Sequence, residues 1–215
     1  MVCEKSGVIF IHIPKCAGTS IESIFYPGTK NVAKDIFGTI NSKIWFKHDT
    51  LQQYENKFPE LDHYYKFTFV RNPWSHTVSM YNYMWKSSYP WPVKWRSNQA
   101  NSEILAMSFR DWVTSEWFQT STMQSINVTK NSPNGLKSCL DYITSRTWKM
   151  NFVGKLENLQ SDFDIVCDAI GYPRQELPHI NKTIYKNYVN YYDDETKRIV
   201  SNKYAEDIEH FEYKF

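Results

Sequence analysis

Apolar and polar positions follow a repeated order along this chain: a short apolar run, a turn, and then a stretch with helical periodicity. The apolar runs cover residues 8–13, 64–70 and 151–154. Short runs rich in β-branched and aromatic residues predict buried strands, and apolar positions three and four apart predict amphipathic helices. Because strands and helices alternate, the pattern predicts an α/β protein with a mostly parallel sheet.

Capping residues predict where several helices begin. Thr50 can cap a helix that starts at the next residue, because its hydroxyl group can accept a hydrogen bond from the first turn. Pro73 fits the first turn of a helix after the second apolar run, where its missing N–H is not needed. Asp193 or Asp194 can cap a last helix whose apolar stripe continues to Phe211.

Residues 8–22 predict the unit around which the protein is organised: a strand, a turn of small residues, and a helix. The strand stops at Pro14, the turn carries Lys15, and Thr19 or Ser20 can cap the helix. The N–H groups of such a turn and the positive end of the helix dipole form a site for an anion. Lys15 adds positive charge and the two hydroxyl groups add donors. An ordinary strand-to-helix turn is the alternative, but this density of polar residues favours a phosphate-type site.

This turn does not have the sequence of a Walker A loop, which needs Gly, four residues and then Gly-Lys-Ser/Thr. His-Ile-Pro-Lys followed by Gly-Thr-Ser instead resembles the 5′-phosphosulfate loop of sulfotransferases that use 3′-phosphoadenosine 5′-phosphosulfate. That form is frequent in the branches that modify carbohydrates. The resemblance implies that Lys15 neutralises charge on the leaving phosphate. The implied donor-binding residues are Lys15, Cys16, Ala17, Gly18, Thr19 and Ser20, with Cys16 a mild departure from the pattern.

Two further motifs resemble blocks of the same family. Arg71-Asn72-Pro73 follows the second apolar run, and Ser79 lies two turns into the next predicted helix. This array resembles the 3′-phosphate motif, which implies that Arg71 and Ser79 bind the 3′-phosphate at the carboxyl ends of the strands. Phe-Val-Gly-Lys-Leu-Glu-Asn-Leu resembles a third block. Its Lys155 is either a nucleotide contact or a surface lysine.

Two histidines are candidates for the general base. A sugar hydroxyl is a poor nucleophile at neutral pH, so the transfer needs a group that removes its proton. His48 precedes the helix capped by Thr50 and resembles the family's Lys/Gly-His-x-Thr element, so we expect His48 to be the base. His179 lies in Leu-Pro-His-Ile-Asn, which matches another family block. His179 is the second candidate for the base. Its alternative role is to shape the part of the site that binds the nucleotide or the acceptor.

Aromatic residues form 17% of the chain, and five of the eight tryptophans lie between residues 85 and 117. Packing in the core is the usual role of tryptophan. This segment is also rich in Pro, Ser and Asn, which predicts loops. We therefore expect some of these tryptophans to line an acceptor groove, with Trp91, Trp95 and Trp117 as the candidates.

Composition narrows the class of protein. A length of 215 residues predicts one domain over residues 1–215, and a net charge of +2 gives no reason to expect nucleic-acid binding. No apolar stretch reaches membrane-spanning length, and the first residues lack the apolar core of a signal peptide. The four cysteines have no metal-type spacing. We read them as free thiols in a reducing compartment and expect a cytoplasmic protein.

The resemblance covers nearly the whole chain and implies a three-layer α/β domain with a central, mostly parallel sheet, the P-loop-like sulfotransferase fold. It implies transfer of a sulfuryl group from 3′-phosphoadenosine 5′-phosphosulfate to a hydroxyl group, on a carbohydrate-type acceptor. No metal is expected, because Lys15, Arg71 and backbone dipoles already supply positive charge. Two alternatives are a non-catalytic protein that binds nucleotide or glycan on this fold, and a P-loop kinase. The kinase would need a Walker A lysine and a Mg²⁺-binding Asp.

Overall fold

The computed structural model describes residues 1–25, 48–86, 106–120, 138–180 and 187–215. Contacts divide the chain into two compact units. The first unit comprises Met1–Arg71 and Cys139–Lys182, and the second comprises Asn72–Ser138 and Thr183–Phe215. The expectation of one domain over the whole chain stays a prediction.

The described strands form one sheet in the first unit. They are β1 (Val2–Cys3), β2 (Val8–Ile11), β3 (Tyr65–Val70) and β4 (Phe152–Lys155), and they lie in this order across the sheet. β1 is antiparallel to β2, whereas β2 is parallel to β3 and β3 is parallel to β4. The mostly parallel sheet and the α/β class are therefore confirmed. The three-layer and P-loop-like details stay predictions.

Helices lie between and after these strands. Those of the described residues are α1 (Gly18–Phe25), α2 (Leu51–Lys57), α3 (Pro73–Lys86), α4 (Phe109–Thr114), α5 (Glu116–Thr120), α6 (Cys139–Ile143), α7 (Leu159–Ala169), α8 (Asp194–Lys203) and α9 (Ala205–His210). Short 3₁₀ turns cover Glu4–Ser6, Pro59–His63, Leu156–Asn158 and Tyr188–Tyr191.

The core of the first unit lies between the sheet and helices α1 and α7. Phe10, Phe67 and Phe69 on the strands are buried together with Ile21 of α1 and Phe163 of α7. Burial of such side chains stabilises a fold by roughly 1.5–3 kcal/mol each. This packing fixes where β2 ends and α1 begins, and so it positions the turn between them.

Local capping chemistry explains the starts of two predicted helices. Thr50 and Gln53 form a capping box at α2, each side chain bonding the other residue's backbone N–H. At α3, the Asn72 side-chain oxygen accepts hydrogen bonds of 3.1 Å from the N–H groups of Trp74 and Ser75. Asn72 of the Arg-Asn-Pro motif is therefore the residue that starts α3, with Pro73 in its first turn.

The C-terminal part of the second unit differs from the expectation of one continuous helix. Asp193 caps α8 through a capping box with Thr196, as predicted. The helix then breaks at Tyr204, whose φ of −114° and ψ of 29° are not helical, and α9 follows. The predicted apolar stripe continues across the break, because Val200, Tyr204 and Phe211 are buried and Ile208 is half-buried.

Candidate active site

Three predicted site positions lie at one edge of the sheet. β2, β3 and β4 are parallel, so their carboxyl ends lie at the same edge. The turn that carries Lys15 follows β2, Arg71 follows β3, and Lys155 is the last residue of β4. Val70 and Lys155 are directly paired, so Arg71 follows β3 one residue beyond the position that faces Lys155 on the neighbouring strand.

The turn between β2 and α1 has an unusual backbone. Lys15 and Ala17 both have positive φ, of 64° and 60°. This left-handed conformation costs a residue with a side chain roughly 1–2 kcal/mol. Cys16 between them is buried, with 1% of its surface exposed. Strained residues that persist in this way are concentrated at ligand and active sites.

Arg71 contacts the turn directly. Its Nη1 donates a hydrogen bond of 3.1 Å to the backbone oxygen of Lys15. Burial, and after it the positive charge of Arg71, lower the pKa of Lys15 from 10.5 to about 8, while Cys16 opposes this shift. At neutral pH the ammonium group is still mostly protonated. Two neighbouring cations beside the first N–H groups of α1 suit a ligand with more than one negative charge.

His48 is held by the end of β2. Its Nδ1 lies 3.0 Å from the backbone oxygen of His12, and the two imidazole rings meet edge to face with centroids 4.7 Å apart. A carbonyl oxygen can only accept, so Nδ1 of His48 must carry the proton. In neutral His48 the nitrogen with the lone pair is then Nε2. That is the tautomer in which the side chain can take a proton from a substrate.

His12 and Glu22 form a buried pair that the sequence interpretation did not assign. His12 Nδ1 and Glu22 Oε1 are 2.7 Å apart, and the side chains are only 5% and 3% exposed. Gly18 packs against the His12 ring so closely that a Cβ atom would lie 2.3 Å from it. The signal in the sequence was a histidine within an apolar run, followed by a glutamate in the next helix.

Ser20 links the turn to the segment that contains His179. The Ser20 hydroxyl oxygen accepts a hydrogen bond of 3.3 Å from the N–H of Ile180. His179 itself is exposed. The Lys155 N–H donates to the Asp162 carboxylate at 2.7 Å, which holds the start of the segment after β4. Roles for His179 and for the Lys155 ammonium in binding stay predictions.

The remaining predicted residues are placed less completely. Ser79 lies in α3 of the second unit and is 8% exposed. Trp91 and Trp95 lie outside the described residues. Trp117 belongs to α5, but its side chain is likewise outside the described part of the structure. The partnership of Ser79 with Arg71 and the acceptor groove therefore stay predictions.

Comparison with known proteins identifies the family. A family model described as "Sulfotransferase family" matches residues 1–214. The chain therefore belongs to the sulfotransferase family, whose members are transferases that act on hydroxyl-bearing acceptors and generally use 3′-phosphoadenosine 5′-phosphosulfate. Searches of curated proteins and of solved structures found no match.

The described residues were also searched for metal-binding clusters and for membrane-spanning helices. Within those ranges, no group of three or more His, Cys, Asp and Glu side chains could hold a metal ion. No helix in the same part of the chain is long and apolar enough to span a bilayer.

Proposed function

We propose that this protein transfers the sulfuryl group of 3′-phosphoadenosine 5′-phosphosulfate to a hydroxyl group of a carbohydrate-type acceptor. The observation that carries the proposal is the contact between Arg71 and the backbone of Lys15 beside the start of α1. It joins Arg71 to the turn that carries Lys15 and leads into α1, and the charge of Arg71 acts on Lys15. This chemistry fits a donor that carries both a phosphosulfate and a second phosphate group.

The proposed location of the protein in the cell is the cytoplasm.

Each part of the turn has a role in this proposal. The backbone from Ala17 to Ser20, together with the hydroxyl groups of Thr19 and Ser20, binds the 5′-phosphosulfate. Arg71 and Ser79 bind the 3′-phosphate, and Lys155 is a further nucleotide contact. Bound donor supplies the sulfuryl group that is transferred.

The chemical roles fall to His48 and Lys15. As the acceptor oxygen forms its bond to sulfur, His48 Nε2 takes the hydroxyl proton. As the bond from sulfur to the bridging phosphate oxygen breaks, the Lys15 ammonium stabilises the negative charge that develops there. Stabilisation of developing charge commonly contributes more to catalysis than any other single effect. His179 is the alternative base, and the hydrogen bond from His48 Nδ1 to the His12 backbone oxygen is what favours His48 over it.

Donor binding is tested first, by thermal unfolding with adenosine 3′,5′-bisphosphate. We expect the ligand to raise the melting temperature, because ligands that bind only the folded state stabilise it. Arg71→Ala should remove most of this shift, since arginine–phosphate contacts are charge-assisted. A larger shift with ATP and Mg²⁺ would instead favour a kinase.

Turnover is tested with labelled donor against a panel of glycans and small alcohols. With an acceptor in hand, we expect His48→Ala to lower kcat by ~10²–10⁴-fold, the usual contribution of a general base, with nucleotide binding retained. His179→Ala is the matched variant and should leave kcat near that of the parent. The opposite result would make His179 the base. Nucleotide binding without turnover on any acceptor would favour a non-catalytic binding protein.

A further inference from the structure

The His12–Glu22 pair is the most buried ionisable pair described near the predicted site. Both side chains are at least 95% buried and their polar atoms are 2.7 Å apart. The proposed reaction uses neither side chain. Removing a carboxylate from water carries a large penalty, and a buried ion pair is weak evidence for stability because apolar replacements are often as stable.

One residue of this pair contacts the proposed base at two points. The backbone oxygen of His12 accepts the Nδ1–H of His48, and the rings of the two histidines meet edge to face. The His12 ring is itself enclosed, since Glu22 binds its Nδ1 and Gly18 packs against its opposite atoms Cδ2, Nε2 and Cε1. A displacement of the His12 ring would therefore be transmitted directly to His48.

We propose that Glu22 and His12 are positioning residues for His48. Glu22 holds the His12 ring, and His12 holds the His48 ring in the tautomer that leaves Nε2 able to accept the acceptor proton. Neither residue touches the substrate in this arrangement. The inference rests on the proposed function, because it assigns a purpose to the orientation of His48 as the base.

The first experiment reads the tautomer of His48 by ¹⁵N NMR of histidine-labelled protein, with His48→Ala used to assign its signals. We expect neutral His48 in the parent to carry its proton on Nδ1. Glu22→Leu removes the carboxylate that bonds His12 without adding a charge. The His12 ring can then shift and turn the His48 ring away from the His12 backbone oxygen, so we expect a mixture of His48 tautomers. An Nε2-protonated His48 in the parent, or an unchanged single tautomer in Glu22→Leu, would overturn the inference. This measurement needs no substrate.

The second experiment separates positioning from general stability. Glu22→Leu should lower kcat by roughly 10–100-fold, by analogy with the loss of a residue that orients a metal-binding histidine, and should leave the donor KM within about twofold. Glu22→Gln keeps an oxygen that can accept from His12 Nδ1, so it should restore kcat to within about threefold of the parent. Thr196→Val is the matched control. It removes the buried Thr196 hydroxyl group, which accepts a hydrogen bond from the Asp193 N–H in the second unit, and it should change neither kcat nor the His48 tautomer.

A double-mutant cycle distinguishes failure of this inference from failure of the proposed function. If Glu22 acts only through His48, Glu22→Leu should have no further effect on kcat in the His48→Ala background. Additive effects would refute the positioning role while leaving His48 as the base. A parent-like kcat for His48→Ala would refute the base assignment itself, and the NMR result would still decide whether Glu22 orients His48.

Discussion

Gly18→Ala gives the sharpest test of the packing beneath the turn. Helix propensity predicts that this change stabilises the protein, whereas packing against His12 predicts that it destabilises the protein. Gly18 is the first residue of α1. Alanine in place of glycine in a helix stabilises it by roughly 0.5–1 kcal/mol when nothing else changes. The new Cβ, however, would lie 2.3 Å from Cδ2 and Nε2 of His12 and 2.6 Å from Cε1, where no methyl group fits.

The size of the stability loss can be estimated from the His12 ring, which the new methyl group would have to displace. The His12 ring is held by Glu22 at 2.7 Å, so it cannot retreat without losing that hydrogen bond. Overpacking of a buried site costs roughly 1–3 kcal/mol. A buried polar group that loses its partner costs about 1–3 kcal/mol more. Subtracting the gain in helix propensity, we expect Gly18→Ala to lower the free energy of unfolding by between about 1 and 5.5 kcal/mol.

Urea denaturation followed by tryptophan fluorescence measures this change. Gly171→Ala is the control, because Gly171 has a φ of +64° and no atom within 4 Å of an added Cβ. It should cost roughly 1–2 kcal/mol from backbone strain alone. In a His12→Ala background the Gly18→Ala change should become neutral or slightly stabilising. A Gly18→Ala variant as stable as the parent, or one that loses as much stability in the His12→Ala background, would contradict a clash with the His12 ring.

The remaining predictions concern the charged groups. Lys15→Met should stabilise the ligand-free protein at pH 7, because the pKa of Lys15 falls from 10.5 to about 8 on folding, a shift worth roughly 3 kcal/mol that penalises the charged form. In the parent, that penalty is relieved as pH rises from about 8 to 10.5, which urea titrations at several pH values can follow. Arg71→Ala should lower kcat even with adenosine 5′-phosphosulfate, which lacks the 3′-phosphate, because Arg71 also holds the Lys15 backbone. An unchanged kcat with that donor would limit Arg71 to phosphate binding. Glu55 accepts hydrogen bonds from Ser145, Thr147 and Trp148, which lower its pKa to about 2, so the stability it adds should be lost as pH falls from 4.5 to 2. Glu55→Gln should remove that part of the acid dependence measured by thermal unfolding.

Structural features that depend on residues close together in the sequence were predicted correctly from the sequence. The strand at residues 8–11 follows from its unbroken apolar run, and the start of α2 follows from the hydroxyl group of Thr50. Asp193 likewise caps α8. These signals are local, since hydrophobic periodicity and capping act within a few residues. The break at Tyr204 was missed, because the apolar stripe continues through it and gives no sign of the change in backbone direction.

The sequence predicted which residues belong to the candidate site, but it did not predict the contacts between them. The turn with Lys15 and the position of Arg71 after a strand were both evident from the sequence. That Arg71 bonds the backbone of Lys15, 56 residues away, depends on the parallel pairing of β2 and β3. Pairing of strands is set by long-range packing, which no local pattern specifies.

Local sequence patterns specify the residue types that follow the strands: a lysine in a turn of small residues, an arginine two positions before a proline, and a histidine before a capped helix. Which of these residues contact one another depends on the folded structure. His12 and His48 are 36 residues apart, and their contact exists because the end of β2 and the start of α2 lie together in the folded first unit. Glu22 reaches His12 because α1 packs back on the sheet through Ile21 and Phe25. A buried carboxylate is stable only where a partner meets it, and the position of that partner is a property of the packed core.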